Sequence, residues 1–288
     1  MSRQHVKYQF EVDLDDPNNA HSLLHALVTR TGRQGMDILE VGCSSGYVGA
    51  TLAAKGHRVT GIEPDPVSAE AAKRALQEVH NDTADGFFDS HPDRRFDAVL
   101  FGDVLEHIAD PAATLRRCVA HLAADGMVAI SLPCITHGSI RAMLLDGRWD
   151  YADYGLLDRT HLRFYSREGM AGLMADGGLE ISTLLGTVMP IQTAIREYGM
   201  AVRPESIAAV EALSHDDADL LVFQFVLVAR QPRVAATHAE LLAHNLAMPL
   251  EKTVAPPRPS GHRSVLQRLR QRAFMALLRS MTRRRFRT

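Results

Sequence analysis

Short apolar runs alternate with helical repeats along most of this chain. Residues 38–41, 57–62, 96–101, 127–132, 179–185 and 220–228 are mostly apolar and bounded by glycine, aspartate or proline. That is the pattern of buried strands. Between them, apolar residues recur three and four apart over 19–31, 47–55, 67–79, 111–122 and 167–175, which predicts helices. A further short strand is expected near 79–82, and the stretch from there to Arg95 is polar and poorly patterned. Residues 133–165 carry no strand pattern but hold Trp149, Tyr151, Tyr154 and Tyr165, a candidate wall for a ligand or a packed lid. Residues 188–218 read as a helical insertion. Alternation of this kind predicts an α/β fold, a Rossmann-like doubly wound sheet.

The unit 37–63 carries the chemistry. Strand 38–41 runs into a small-residue turn from Gly42 through Cys43 and Ser44 to Gly46, a helix opens at Tyr47, and the next strand ends in Glu63. Glycines let a backbone approach a ligand closely, and a helix N-terminus presents free N–H groups. An acid at the tip of the second strand can accept both hydroxyls of a ribose. The unit therefore reads as the site of a nucleoside-bearing cofactor. A dinucleotide site would show Gly-x-Gly-x-x-Gly, and a Walker loop would need Gly-Lys-Ser/Thr after the turn. Here the spacing is Glu40-x-Gly42-x-x-x-Gly46, with Ser44 where a middle glycine could stand. This acid-x-Gly-x-x-x-Gly pattern resembles the S-adenosyl-L-methionine (SAM) site of class I methyltransferases. The resemblance implies that Glu40 orients the loop or meets the methionine ammonium. It implies that Gly42, Cys43, Ser44 and Gly46 wrap the methionine and ribose, bordered by Tyr47 and Pro64, and that Glu63 holds the ribose. Asp82 or Asp85 could accept from the adenine amino group; the alternative is a solvated loop acid.

A second block, Phe96-Asp97-Ala98-Val99-Leu100-Phe101-Gly102-Asp103-Val104-Leu105-Glu106-His107, follows at the expected distance. It resembles the ubiquinone-biosynthesis O-methyltransferase group, which implies that the backbone of Asp103, Val104 and Leu105 lines the methionine end of SAM. Tyr8, the segment 13–19 and His21 before the loop, and Leu156 to Ser166 late in the chain, are similar to bacterial methyltransferase domains found with glycosyltransferases in glycan assembly. Together the resemblances span about residues 8–230. They imply a seven-stranded sheet of order 3-2-1-4-5-7-6, last strand antiparallel. They also imply SAM-dependent O-methylation of a small polar or lipid-linked acceptor, a sugar hydroxyl in envelope glycan assembly being the first candidate. The alternatives are an N-methyltransferase acting on an amine or amino sugar, a quinone-type phenol acceptor, and, from another class, a non-catalytic SAM-fold scaffold at the membrane.

Methyl transfer to a hydroxyl needs an aligned acceptor and a route for its proton. His161, in the polar cluster 158–161, is the first candidate base, since imidazole titrates near neutrality. Asp158 could fix its tautomer if the fold brings the two together. His107 is the rival, and a hydrogen-bonded lid or cap role is the alternative for either. Asn19, His21 and Tyr8 are weaker candidates for closing over the cofactor. No metal ligand is assigned, although Asp103 and Glu106 follow the fourth strand, where some catechol methyltransferases hold Mg²⁺.

Composition adds two things. Three cysteines, Cys43, Cys118 and Cys134, show neither metal-ligand spacing nor an even disulfide framework, and with no leader segment or spanning run read in the sequence a cytoplasmic protein is expected. Nine of the 32 basic side chains, all arginine, fall after Gly261, which leaves 23 bases against 34 acids in the rest. Nucleic acid is thus an unlikely partner for the body. The chain divides into an expected catalytic domain over 1–230, a short helix and Pro-rich linker over 231–261, and an Arg-rich amphipathic tail over 262–288. Leu266, Leu269, Ala273, Phe274, Leu277 and Met281 share one side of that tail, opposite arginines, which suits an anionic membrane surface. Glycan-assembly enzymes, another protein partner or the acidic body itself are the other partners considered.

Overall fold

The computed structural model describes residues 12–253 except His215. The expected tail helix, most of the Pro-rich linker and Tyr8 lie outside the described residues. Eight strands form one sheet: β1 (Asp37–Val41), β2 (Arg58–Ile62), β3 (Glu78–His80), β4 (Phe96–Gly102), β5 (Leu122–Pro133), β6 (Glu180–Val188), β7 (Val222–Arg230) and β8 (Glu251–Lys252). Their order is β3-β2-β1-β4-β5-β7-β6-β8. The first five strands run parallel, and β7 is antiparallel to both β5 and β6. This is the expected doubly wound sheet with one added edge strand.

Strand pleating sorts the core into two layers. Leu39, Val41, Val99 and Phe101 face one side with Val128, Ile130 and Phe225. There they meet α4 (Ala84–Ser90), α5 (Pro111–Ala120) and α7 (Arg167–Asp176) through Phe87, Leu115, Cys118, Met170 and Met174. Ile38, Ala98, Leu100 and Ala129 face the other side. Their partners are Leu24 and Val28 of α1 (Ala20–Thr29) and Leu52 of α2 (Tyr47–Ala53).

Several boundaries differ from expectation. α3 (Pro66–Ala72) stops well before residue 79, because the chain passes through short turns at Arg74 and Ala75 to enter β3. The polar stretch before Arg95 contains α4, capped by Thr83, with Phe87 and Phe88 buried; a single apolar pair on one face is too short to declare a period. α6 (Gly138–Leu145) lies inside 133–165, and the insertion resolves into α8 (Ile191–Tyr198) and α9 (Pro204–Leu213). Beyond Arg230 the chain stays on the sheet. α10 (His238–Ala247) opens with a Thr237–Glu240 capping box. Its buried Asn245 accepts the N–H of Ile181 at 2.8 Å and donates to the carbonyl of Leu179 at 3.1 Å. β8 then pairs with β6.

Candidate active site

The carboxyl ends of β1, β2 and β4 meet along one edge. Glu40 is 6% exposed, and its Oε2 accepts the N–H of Gly49 in α2 at 3.0 Å. A side chain at position 49 would run into that oxygen and come within 2.9 Å of Val59 and Leu76. Glu40 therefore holds the start of α2 against β1, as the orienting role requires. It also lines a cleft of about 270 Å³ with His21, Gly42, Cys43, Tyr47 and Gly102. Burial pushes its carboxyl up to about 8, the Gly49 N–H opposing and Glu63 adding to the shift. A carboxyl so poorly solvated fits a cationic ligand group such as an ammonium.

The loop after β1 is held by backbone donors. The N–H groups of Gly42 and Cys43 both donate to the carbonyl of Ile62, at 2.8 and 3.0 Å. Gly42 has φ 68°, and a Cβ there would fall 2.6 Å from Val104 Cγ2. Ser44 also lies in the left-handed region, at φ 49°, where its N–H donates to Glu63 Oε2 at 2.8 Å. The N–H of Asp65 donates to Glu63 Oε1 at 2.9 Å. Each carboxylate oxygen keeps a second lone pair for a further donor. Gly46 opens α2 at φ 77° with no side-chain cap. Cys43 contributes its backbone; its buried thiol sits where Gly61 has no side chain, and burial pushes the thiol above its ordinary range. Pro64 is exposed at the same edge, its carbonyl accepting from Asn81 Nδ2 at 2.9 Å. Asp82 is half-buried just past β3, with Oδ1 accepting the N–H of Thr83. Asp85 is different: it accepts from Thr114 Oγ1 at 3.3 Å and pairs with Arg117 at 3.6 Å, so α5 takes it.

After β4 the backbone turns sharply. Asp103 has φ 54°, its N–H donates to Ser131 Oγ at 3.0 Å, and its carboxylate accepts from Ser131 and from Gln224 Nε2, the latter at 2.8 and 2.9 Å. His21 Nε2 lies 3.8 Å from the same carboxylate and stacks edge-on with Tyr47 at 5.2 Å. Burial lowers the His21 pKa, with the Asp103 charge opposing. Val104 covers Gly42, while the side chain of Leu105 turns into the core. Asn19 is the N-cap of α1, accepting from His21 and Ser22, so it shapes the cleft through His21.

A larger pocket, partly open to solvent, is lined by Ile140 and Met143 of α6, Tyr151, Tyr154, Leu156 and Leu157 of the following loop, Tyr198 of α8 and Phe223 of β7, with Arg148 and Asp150 also on its wall. Tyr198 stacks on Phe223 at 5.4 Å between ring centroids. Its hydroxyl is pushed up to about 12, by burial first and then by the charge of Asp103. Two of the expected aromatics thus line the cavity. Trp149 instead packs edge-on against Phe164 at 5.3 Å, and Tyr165 belongs to the core. Tyr198, Phe223 and Gln224 were invisible as site residues because they lie in the insertion and the last long strand, where their patterns are those of ordinary packing.

The two candidate histidines come together. The 3₁₀ turn Leu105–His107 carries Glu106 and His107, and the backbone N–H groups of Leu162 and Arg163 donate to the Glu106 carbonyl at 2.8 and 3.1 Å. His107 and His161 meet edge-on at 4.8 Å. Nδ1 of His161 lies 3.3 Å from the Leu156 carbonyl and Nδ1 of His107 lies 3.1 Å from that of Thr160. A carbonyl can only accept, so each Nδ1 carries the hydrogen and each Nε2 the lone pair. This corrects the role expected of Asp158. Its Oδ1 accepts from the N–H and hydroxyl of Thr160, at 2.9 and 2.7 Å, and the Leu156 carbonyl holds the His161 ring. Burial, with His107 adding, lowers the His161 pKa, and the charge of Asp158 only opposes it. His161 Nε2 lies 4.0 Å from Glu106 Oε1. Both oxygens of that buried carboxyl, and the Tyr165 hydroxyl, lack a hydrogen-bond partner among the described residues.

Residues 15–184 match a family model described as a methyltransferase domain. The chain is 32% identical over 103 residues to the ubiquinone biosynthesis O-methyltransferase of Rhodopseudomonas palustris (strain BisA53), covering 34% of this chain and 40% of that protein. It thus spans well under half the length of that relative. To the protein of the same name from Thiobacillus denitrificans (strain ATCC 25259 / T1) it is 26% identical over 223 residues, covering 66% of this chain and 91% of the other. Among solved structures, the O-methyltransferase from the trans-AT PKS multienzyme of Brevibacillus brevis, in complex with S-adenosyl-L-homocysteine, matches with a TM-score of 0.51 at 12% identity, over 78% of this chain and 75% of that one. That last likeness concerns the fold.

Proposed function

This chain belongs to the methyltransferase-domain family, and we propose that it methylates a hydroxyl oxygen of a small acceptor whose apolar body fills the cavity walled by Tyr154, Tyr198 and Phe223. It is a SAM-dependent enzyme. Bound SAM supplies an electrophilic methyl group on a sulfonium, with its own leaving group. The remaining work falls to the protein: hold the cofactor, exclude water and align the acceptor oxygen.

One observation carries the reading. Phe223 and Gln224 are consecutive in β7; the first walls the cavity and the second holds the carboxylate of Asp103 at the cofactor edge. The Tyr198 ring walls the cavity while its hydroxyl feels the charge of Asp103. Neighbouring residues of β7 thus bound the cavity and hold the cofactor edge, and the charge of Asp103 reaches a cavity wall, which supports transfer between two molecules bound side by side. The lining favours an acceptor with a phenolic or similarly apolar body, in keeping with the ubiquinone names of the curated relatives. The charged residues of the lining, Arg148 and Asp150, pair with each other, so a sugar hydroxyl, an amine and a lipid-linked acceptor stand as the next acceptors to offer. His161 Nε2 faces Glu106, so the geometry favours a role shared with that carboxyl over a lone imidazole base.

The test is formation of S-adenosylhomocysteine from SAM with a panel of catechol-type phenols, lipid-linked sugars and amino sugars. Wild type should turn over a phenol, and Glu63→Ala should lose SAM binding in calorimetric titration. Firm SAM binding with turnover of sugars or amines alone would overturn the acceptor reading. No SAM binding at all would favour the scaffold alternative. No helix among the described residues is long and apolar enough to cross a membrane. A peripheral membrane role rests on the arginines of 262–288 and is tested by liposome sedimentation with and without residues 261–288.

A further inference from the structure

We propose that Glu106, His107 and His161 form a binding site for one borderline divalent cation of the zinc and cobalt type. One ligand atom from each residue lies within 4.8 Å of the others. That is close enough for a single ion to gather them with small rotamer changes. Two imidazoles and a carboxylate form a ligand set that suits Zn²⁺ and Co²⁺ and leaves a coordination position open.

The hydrogen bonds around the cluster point the same way. Each histidine spends Nδ1–H on a backbone carbonyl, Leu156 for His161 and Thr160 for His107. This is the arrangement by which metal-binding histidines are oriented, and it fixes the lone pair on Nε2. The third member is a buried carboxyl left without a partner. The Glu106 side chain is 1% exposed, and both its oxygens lack a hydrogen-bond partner among the described residues. Its electrostatic neighbours are the acids Asp103 and Asp158, which add to the cost of its charge. The nearby Arg163 donates to the Ala109 carbonyl, at 2.6 Å. A buried carboxyl in this setting either keeps its proton or meets a cation. The two flanking imidazoles, with Nδ1 held by backbone carbonyls, are cation ligands, and they supply what a merely protonated acid does not need.

The site brings together segments far apart in the chain. Glu106 and His107 follow β4, and His161 lies beyond the aromatic loop. His161 is tied through Nδ1 to Leu156, a wall residue of the cavity. An ion held here stands beside the acceptor cavity, where an open position could take an acceptor oxygen and lower the pKa of its hydroxyl. The binding claim does not depend on the acceptor, because it is read from the ion itself.

The experiment uses the full chain, treated with a chelator and then titrated with Co²⁺ and, separately, Zn²⁺. Visible absorption and metal content after desalting are the readouts. The expected result is one equivalent bound, with a cobalt spectrum showing nitrogen ligation and a rise in Tm with Zn²⁺. His107→Ala, Glu106→Gln and His161→Ala should each weaken binding by at least about 100-fold, in line with the loss of one of three ligands. SAM titration of the same variants reports folding, and His107, only half-buried, is the substitution least able to disturb the core. Absence of cobalt ligation in wild type, or equal binding by wild type and the His107→Ala variant with SAM binding retained, would overturn the proposal. Glu106 would then be a protonated buried acid.

Discussion

The cofactor edge and the acceptor side differ in how their buried polar groups are treated. At the cofactor edge, Glu40 has the N–H of Gly49, and Glu63 has those of Ser44 and Asp65. Asp103 has Ser131 and Gln224. Beyond β4, in the turn that meets the loop carrying His161, the buried carboxyl of Glu106 has no hydrogen-bond partner among the described residues. The first region is preorganised by its own backbone, through residues held at left-handed φ. The second is assembled from α6, the aromatic loop, α8 and β7, and the turn beside it buries the Glu106 carboxyl without a partner among the described residues. The lesson is that a shared donor needs a rigid, self-satisfied site, whereas a particular acceptor leaves its mark as a shape and an unmet need.

The comparison breaks most readily at Gly42. Its φ of 68° disfavours any other residue, and a Cβ would lie 2.6 Å from Val104 Cγ2. Gly42→Val should weaken SAM binding by on the order of 100-fold, from backbone strain of about 1–3 kcal/mol plus displacement of Val104. Calorimetric titration measures it. Normal SAM affinity in this variant would mean that the loop is not the rigid half of the pair.

The acceptor side should respond independently. Tyr198→Leu removes the stack on Phe223 and the hydroxyl near Asp103 while keeping apolar bulk. Such a stack is worth about 0.5–1.5 kcal/mol, so acceptor KM should rise up to about tenfold with SAM affinity unchanged. If SAM affinity falls in step, the two regions are one unit and the contrast fails.

The same contrast decides what could be read from the chain beforehand. Glu40, Gly42, Gly46 and Glu63 sit within 24 residues, and their roles are backbone roles, so spacing declares them. The doubly wound α/β class was legible because apolar runs alternate with helical repeats, whereas the strand order was implied by the resemblance of the two motif blocks. The Asp158 role was misjudged because a side chain two residues away, Thr160, competes for its oxygen. Asp85 was ambiguous because only packing of α4 on α5 reveals Arg117. Tyr198, Phe223 and Gln224 gave no signal, because a cavity wall uses the same residues as a core. β8 is two residues long, and its pairing with β6 is a tertiary event.

The smallest expected effect sharpens the contrast on the cofactor side, where even a satisfied acid bears the cost of burial. Burial holds the Glu40 carboxyl at about 8, so at pH 7 the free protein carries it mostly protonated. A cationic ammonium in the cleft favours the ionised form, so SAM binding should release close to one proton at pH 7. Its affinity should then rise about fivefold between pH 7 and 8 as the free carboxyl ionises. Titration calorimetry in buffers of different ionisation heat counts the proton, and Glu40→Gln should abolish its release. The stability consequence has the opposite sign. The folded pKa lies above the ordinary carboxyl value of 4.5, so the native chain keeps a proton that the unfolded chain loses between pH 4.5 and about 8. The contribution of Glu40 to stability therefore falls as pH rises through that window, and Glu40→Gln should flatten the slope in denaturant unfolding. A variant with unchanged proton release and an unchanged slope would show that Glu40 meets neither the ammonium nor the burial cost assigned to it. The polar groups of the cofactor edge would then be no better matched to their ligand than those of the acceptor side.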